Sequence, residues 1–227
     1  MYGFLRWLGR AIARTYLVGL IEVRGLDAVP RTGGLLVCSN HGSNADPPLV
    51  PAFLPRADSW SMAKSEYFEG TGFVPWIFRT YHSFPVVRHT ADRVALRRAL
   101  GLLAAGEAVI VYPEGTRVED ARLHTPEPGA GFIALRSRAV VQPVAMIGTE
   151  DCFPKGSWWP RRVPVQIVYG GPFRVAERWP DGRRVTFQEA AEAIMLRIAE
   201  LLPAANRGVF ADLEGARRRL GPIVATV

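Results

Sequence analysis

The sequence is short of lysine, of cysteine and of long apolar runs, and each shortage narrows what the chain can be. Of 28 basic residues only Lys64 and Lys155 are lysines, so the formal charge of +7 is carried by arginine. A positive excess favours an anionic partner, either nucleic acid or an acidic membrane surface. The basic residues are spread along the chain rather than gathered in a nucleic-acid-binding motif, which argues for the membrane and against nucleic acid. The two cysteines, Cys38 and Cys152, lack a C-x-x-C or His-rich spacing, so neither a zinc or other metal site nor a disulfide framework is expected. Cys38 ends the apolar run 35–37 and reads as a small buried residue. No segment reaches the roughly eighteen apolar residues of a spanning helix, because Arg6, Arg10 and Arg14 interrupt the one candidate. The N-terminal stretch also has no small-residue cleavage site, so a reducing, cytoplasmic setting is expected.

A chain of 227 residues with 48% hydrophobic content can bury one substantial core, and no linker composition divides it. Residues 2–20 read as an amphipathic helix: Phe4, Leu5, Trp7, Leu8, Ile12, Tyr16 and Leu17 are apolar, and Arg6, Arg10 and Arg14 recur at steps of four. Such a helix either lies in a membrane interface with its arginines on the anionic surface or packs on the core. The expected organisation is a membrane-interface helix at 1–22 and one domain at 23–227. Strands are expected at 35–39, 59–63, 84–87, 108–112, 140–147 and 163–169, and helices at 47–54, 92–105, 129–137 and 187–202. That alternation predicts a single α/β domain with a mixed, mostly parallel sheet flanked by helices. The loop at 153–162 mixes aromatics with cations, as interfacial segments do, or covers the sheet with its tryptophans.

Two short polar motifs follow apolar strands. In residues 40–46, Asn-His-Gly-Ser-Asn-Ala-Asp, His41 precedes Asp46 by five positions. An imidazole titrates near neutrality, and a neighbouring carboxylate can hold the tautomer that takes a proton from a hydroxyl nucleophile. Asp46 also precedes Pro47, the pattern of a helix N-cap, and one carboxylate can serve both roles. The second motif is Tyr112-Pro113-Glu114-Gly115-Thr116-Arg117. It places backbone donors, a hydroxyl and a guanidinium after a strand, where a phosphate could bind.

Together these motifs resemble the glycerolipid acyltransferase family, which carries four ordered blocks. All four can be located: His41 to Asp46; Phe84-Pro85-Val86-Val87-Arg88, ending in Phe-x-x-x-Arg; Pro113 to Arg117; and Pro143-Val144. The likeness covers about residues 23–171. It departs from the pattern at His82, near which the second block usually has glycine, and at Pro128, where a lysine often precedes the residue matching Gly129.

The resemblance implies transfer of a fatty acyl group from acyl-CoA or acyl carrier protein to the free hydroxyl of a lysophospholipid. The foremost acceptor is 1-acyl-glycerol-3-phosphate, giving phosphatidate, and no cofactor is implied beyond the thioester co-substrate. It further implies His41 and Asp46 as the catalytic pair, Lys64, Arg88, Glu114, Gly115, Thr116 and Arg117 as substrate-binding residues, and a peripheral place on the cytoplasmic side of the cell membrane. Phe68, Phe73, Val74, Trp76, Ile77 and Phe78 either line an acyl tunnel or fill the core. The rival readings are an acyltransferase for a lyso-ornithine lipid or glycolipid, a catalytically silent lipid-binding module, and a thioester hydrolase using Ser39 or Ser43. The last lacks a Gly-x-Ser-x-Gly elbow.

Overall fold

The computed structural model describes every residue except His89, Ala91, Glu119, Lys155, Gly156 and Trp158. The expected aromatic and cationic centre of the 153–162 loop thus lies partly outside the described residues. In chain order the elements are α1 (Tyr2–Tyr16), β1 (Ile21–Arg24), β2 (Leu35–Ser39), α2 (Asp46–Phe53), β3 (Ser59–Lys64), α3 (Phe73–Thr80), β4 (Ser83–Val86), α4 (Arg93–Ala104), β5 (Ala108–Val111) and α5 (Gly129–Ser137). Then follow β6 (Val140–Ile147), α6 (Thr149–Cys152), β7 (Val165–Tyr169), β8 (Phe173–Val175), α7 (Phe187–Ala199), α8 (Leu213–Leu220) and β9 (Val224–Thr226).

The strands form one sheet in the order β1-β7-β6-β2-β5-β3-β4, with β8 paired to β6 and β9. From β6 to β4 every pairing is parallel, as is β1 with β7; β7 and β8 run antiparallel to β6, and β9 to β8. This is the mixed, mostly parallel α/β sheet that the alternating pattern predicts. The central strands read as unbroken apolar runs because both faces are covered. On β2, Leu35 and Val37 pack toward Val50, Phe53 and Leu54, while Leu36 and Cys38 pack toward α4, α5 and α7. Each such aliphatic side chain taken out of water contributes about 1.5–3 kcal/mol.

Of the two arrangements open to the α1 arginines, the structure gives Arg6 and Arg10 the one packed on the core, while Arg14 stays exposed. Arg6 is only 6% exposed. Its Nε donates to the Pro51 carbonyl at 2.6 Å, and its Nη2 donates to the Leu54 carbonyl. Arg10 donates to the Ala52 carbonyl through Nε at 2.9 Å and Nη2 at 2.6 Å, and the Arg14 guanidinium lies 5.7 Å from the centre of the Phe53 ring. The last carbonyls of a helix have no intrahelical partner and carry its negative dipole end, so the arginine stripe satisfies the carboxyl end of α2. Besides Arg14 and Thr15, what α1 leaves outside is largely aromatic and aliphatic: Phe4 and Trp7 are each 60% exposed, Ile12 58%.

The amino end of α1 is pinned as well. The Tyr2 hydroxyl shares a hydrogen bond of 2.6 Å with that of Ser59, and the His82 ring is stacked between Tyr2 at 3.8 Å and Trp60 at 4.4 Å. His82 has a left-handed backbone with φ of 51°. Glycine adopts that conformation freely and other residues do so at a cost of about 1–2 kcal/mol, which accounts for the glycine usual at this turn. The stacking offsets that strain.

Candidate active site

The parallel strands bring the motifs to one edge, because residues that follow β2, β3, β4 and β5 all emerge at carboxyl ends of neighbouring strands. His41 follows β2, Lys64 closes β3, Arg88 follows β4, and Tyr112 to Arg117 follow β5.

His41 is held on all sides. The Asn40 side chain donates to the Met146 carbonyl at 2.9 Å and accepts from the Met146 N–H at 2.8 Å, anchoring the end of β2 to β6. The Glu114 Oε2 accepts the His41 main-chain N–H at 3.2 Å, and the Val118 N–H donates to the His41 carbonyl at 2.9 Å. The loop after β5 therefore clamps the backbone of the histidine. The imidazole Nδ1 lies 3.1 Å from the Asp46 Oδ2, which also accepts the Ser43 N–H at 2.8 Å. An ionised carboxylate can only accept, which puts the ring proton on Nδ1 and leaves Nε2 as a proton acceptor.

Asp46 does not cap α2. It is the first residue of that helix, Ala45 is the N-cap, and no side chain makes the capping bond. Pro47 and Pro48 have no N–H to offer, so the carboxylate turns back to Ser43 and His41 instead. Asp46 is fully buried.

A cavity of about 900 Å³ opens beside His41. Its wall carries Lys64, Arg88, Arg93, Arg97 and Gly115, and runs on to an apolar lining that includes Met62, Val86, Leu96, Leu100, Ala130 and Ile133. Lys64 is paired with Glu66 at 2.7 Å, which holds the Glu66 carboxyl down at about 2. Arg88 makes no hydrogen bond or ion pair among the described residues. Its segment is fixed by Asp92, which caps α4 by accepting from Val94 and Ala95 at 3.0 Å each and accepts the Val87 N–H at 3.0 Å. Those N–H donors hold the Asp92 carboxyl below its ordinary value.

Of the residues expected to bind substrate, Lys64, Arg88 and Gly115 lie on the cavity wall beside His41. Glu114, Thr116 and Arg117 are not part of its lining. Glu114 is buried behind His41, with Oε1 accepting the His124 N–H at 2.9 Å. Burial raises its carboxyl above the ordinary value, opposed by the hydrogen bonds from His124 and His41. The Gly115 N–H donates to the Tyr112 carbonyl at 2.9 Å and its φ is 70°, so that donor is used by the turn itself. The aromatic group after β3 does not line the cavity either: Phe73, Val74 and Trp76 of α3 are exposed. Ser39 and Ser43 are buried and donate to the carbonyls of Asn40 and Phe153, so neither is poised as a nucleophile for His41. Sequence reasoning missed Arg93 and Arg97 on the wall; their spacing of four after an aspartate cap was the available signal. Among the described residues no group of three or more His, Cys, Asp or Glu is placed to hold a metal ion.

A solved 1-acyl-sn-glycerophosphate acyltransferase from Thermotoga maritima superposes with a TM-score of 0.67 at 28% identity, covering 84% of this chain and 75% of that one. The 1-acyl-sn-glycerol-3-phosphate acyltransferase of Bacillus subtilis is 27% identical over 191 residues, 82% of this chain and 89% of that protein. A chloroplastic 1-acyl-sn-glycerol-3-phosphate acyltransferase of Arabidopsis thaliana is 30% identical over 140 residues, of which this chain spans only 38% of the plant protein's length. The sequence model of the Acyltransferase family matches residues 20–147, which hold all four motif blocks whole, and the chain belongs to that family.

Proposed function

We propose that this protein moves a fatty acyl chain from acyl-CoA or acyl carrier protein to the free hydroxyl of a lysophospholipid, with 1-acyl-glycerol-3-phosphate as acceptor and phosphatidate as product. His41 is the general base. Its Nε2 takes the hydroxyl proton as the oxygen attacks the thioester carbonyl; the C–S bond then breaks, and the departing thiolate recovers the proton. Asp46 keeps the imidazole in the required tautomer and stabilises the imidazolium. Arg88, unpaired on the wall, holds the acceptor's phosphate, and Lys64 assists there. The apolar part of the cavity takes the acyl chain.

The observation that carries this reading is His41, backed by the buried Asp46, lining one cavity whose wall holds Lys64, Arg88, Arg93 and Arg97 against two carboxylates and is otherwise largely apolar. The names of the Bacillus and Thermotoga relatives support the acceptor. A second acceptor, a lyso-ornithine lipid or glycolipid, is favoured by Thr116 and Arg117 standing off the cavity lining and by the departures at His82 and Pro128. Mixed lysolipids incubated with acyl thioesters, with products identified by mass, separate the two.

The substrates imply a lipid surface, and the outer face of α1 fits one. Its exposed Phe4, Trp7 and Ile12 enter the interface mainly by apolar burial, because Arg6 and Arg10 are committed to α2. Among the described residues no helix is long and apolar enough to cross a membrane. We place the protein peripherally on the cytoplasmic side.

A further inference from the structure

Two buried polar atoms flank the catalytic pair without a partner. Asp46 Oδ2 serves both His41 and Ser43, but Asp46 Oδ1 has no hydrogen bond among the described residues, although the side chain is fully buried. The Tyr112 hydroxyl is buried and unpartnered too. The phenol ring packs against His41, centroids 4.5 Å apart and planes tilted by 32°. Tyr112 lines the cavity and packs against the apolar layer under α2, and its hydroxyl is buried.

An orphaned carboxylate oxygen is an acceptor without a donor, and a phenol that stays neutral is a donor without an acceptor. Leaving either buried and unmet costs more than a typical hydrogen bond contributes. Burial, and after it the charge of Asp46, keep the Tyr112 phenol well above its ordinary value, so its proton is present at every pH at which the enzyme would work. The other polar groups near the hydroxyl are engaged: Tyr169 donates to the Val50 carbonyl at 3.4 Å, and Tyr81 to the Pro48 carbonyl at 2.8 Å.

We infer that Tyr112 is a positioning residue for acyl transfer: its hydroxyl donates through one bridging water to Asp46 Oδ1 and fixes the carboxylate that orients His41. The inference rests on the reading of His41 as base. The phenol does not touch substrate through its hydroxyl; it acts through Asp46. Its ring, packed on the imidazole, restrains His41 from the other side. A carboxylate held at one oxygen alone can swing about its Cβ–Cγ bond, whereas one held at both cannot, and general-base catalysis depends on that geometry.

The test is Tyr112→Phe, which keeps the ring and removes only the oxygen. The inference predicts a fall in kcat of about tenfold with KM for acceptor and donor unchanged, because the lost contact orders the base and binds nothing. It also predicts a lower Tm. If the hydroxyl were a true orphan, its removal would raise Tm and leave kcat as it was, and the inference would be overturned. A double-mutant cycle with Asp46→Asn adds the readout that simple packing would not move. Acting through Asp46, Tyr112→Phe has little further effect on kcat once Asp46 is changed, whereas multiplying losses would contradict the inference. His41→Ala run alongside separates the two ideas: full activity there removes the base assignment itself, while an inactive His41→Ala beside a fully active Tyr112→Phe removes only the role of Tyr112.

Discussion

The carboxylate of Glu114 accepts the main-chain N–H of His41 at 3.2 Å, so the most recognisable block of the sequence serves as the clamp of the histidine in the first block. Truncation at Glu114 therefore acts on geometry. We expect Glu114→Ala to leave the buried His41 amide unmet and the part-buried His124 amide without its carboxylate, at about 1–3 kcal/mol of stability. Its activity loss should fall in kcat with acceptor KM held, whereas a loss confined to KM would make Glu114 a substrate ligand.

Glu114 also gives folding a pH dependence. Burial raises its native carboxyl above the ordinary 4.5, so the native state holds a proton that the unfolded chain has released. The stability contributed is full below 4.5 and is lost as pH rises through the native value. Denaturant titrations across that range should show this decline in the wild type and a flatter profile in Glu114→Gln.

Much of this fold is legible in the sequence, and what escapes does so for identifiable reasons. The 35–39 strand opens on the apolar run 35–38 and the 140–147 strand is apolar apart from Gln142 and Pro143, and both are found where the pattern places them. β1 is four residues of alternating apolar and charged character, too short to carry a period, and forms only because β7 lies beside it. The aromatics of α3 suit an acyl tunnel or the core alike in sequence, whereas the structure leaves Phe73, Val74 and Trp76 exposed on a short helix. The stripe of Arg6, Arg10 and Arg14 was visible but its direction was not, since an arginine serves lipid phosphate and helix carbonyls alike. The same holds at the site: the pairing of His41 with Asp46 follows from spacing, whereas the role of Glu114 needs a contact 73 residues away in sequence.

The direction of that stripe separates anchoring from folding. Changing Phe4, Trp7 and Ile12 together to serine should weaken binding to liposomes and leave turnover on a detergent-dispersed acceptor intact. Arg6→Ala should instead lower stability by about 1.5–3 kcal/mol, the range for a charged hydrogen-bond donor. Liposome sedimentation and thermal melts check the pair; a salt-sensitive membrane contact through Arg6 would show the reverse.

The cavity wall ranks the arginines. Arg88→Ala should raise KM for a phosphate-bearing acceptor by more than Arg117→Ala does, and Arg88→Lys should restore only part, because lysine keeps the charge without the fork. Equal effects on a phosphate-free lysolipid would move Arg88 away from the phosphate. In the apolar half, Leu100→Trp fills space between α4 and β5, and we expect the preferred donor to become shorter, read as the ratio of kcat/KM between chain lengths.

The central claim is that His41 is the base of acyl transfer to a lysophospholipid. The most direct test incubates purified wild type and His41→Ala with 1-acyl-glycerol-3-phosphate and an acyl thioester and quantifies the acylated lipid by mass. The account predicts phosphatidate from the wild type and at least about a hundredfold less from the folded variant. Near-wild-type turnover by His41→Ala, or a wild type that acylates no lysolipid, would contradict it.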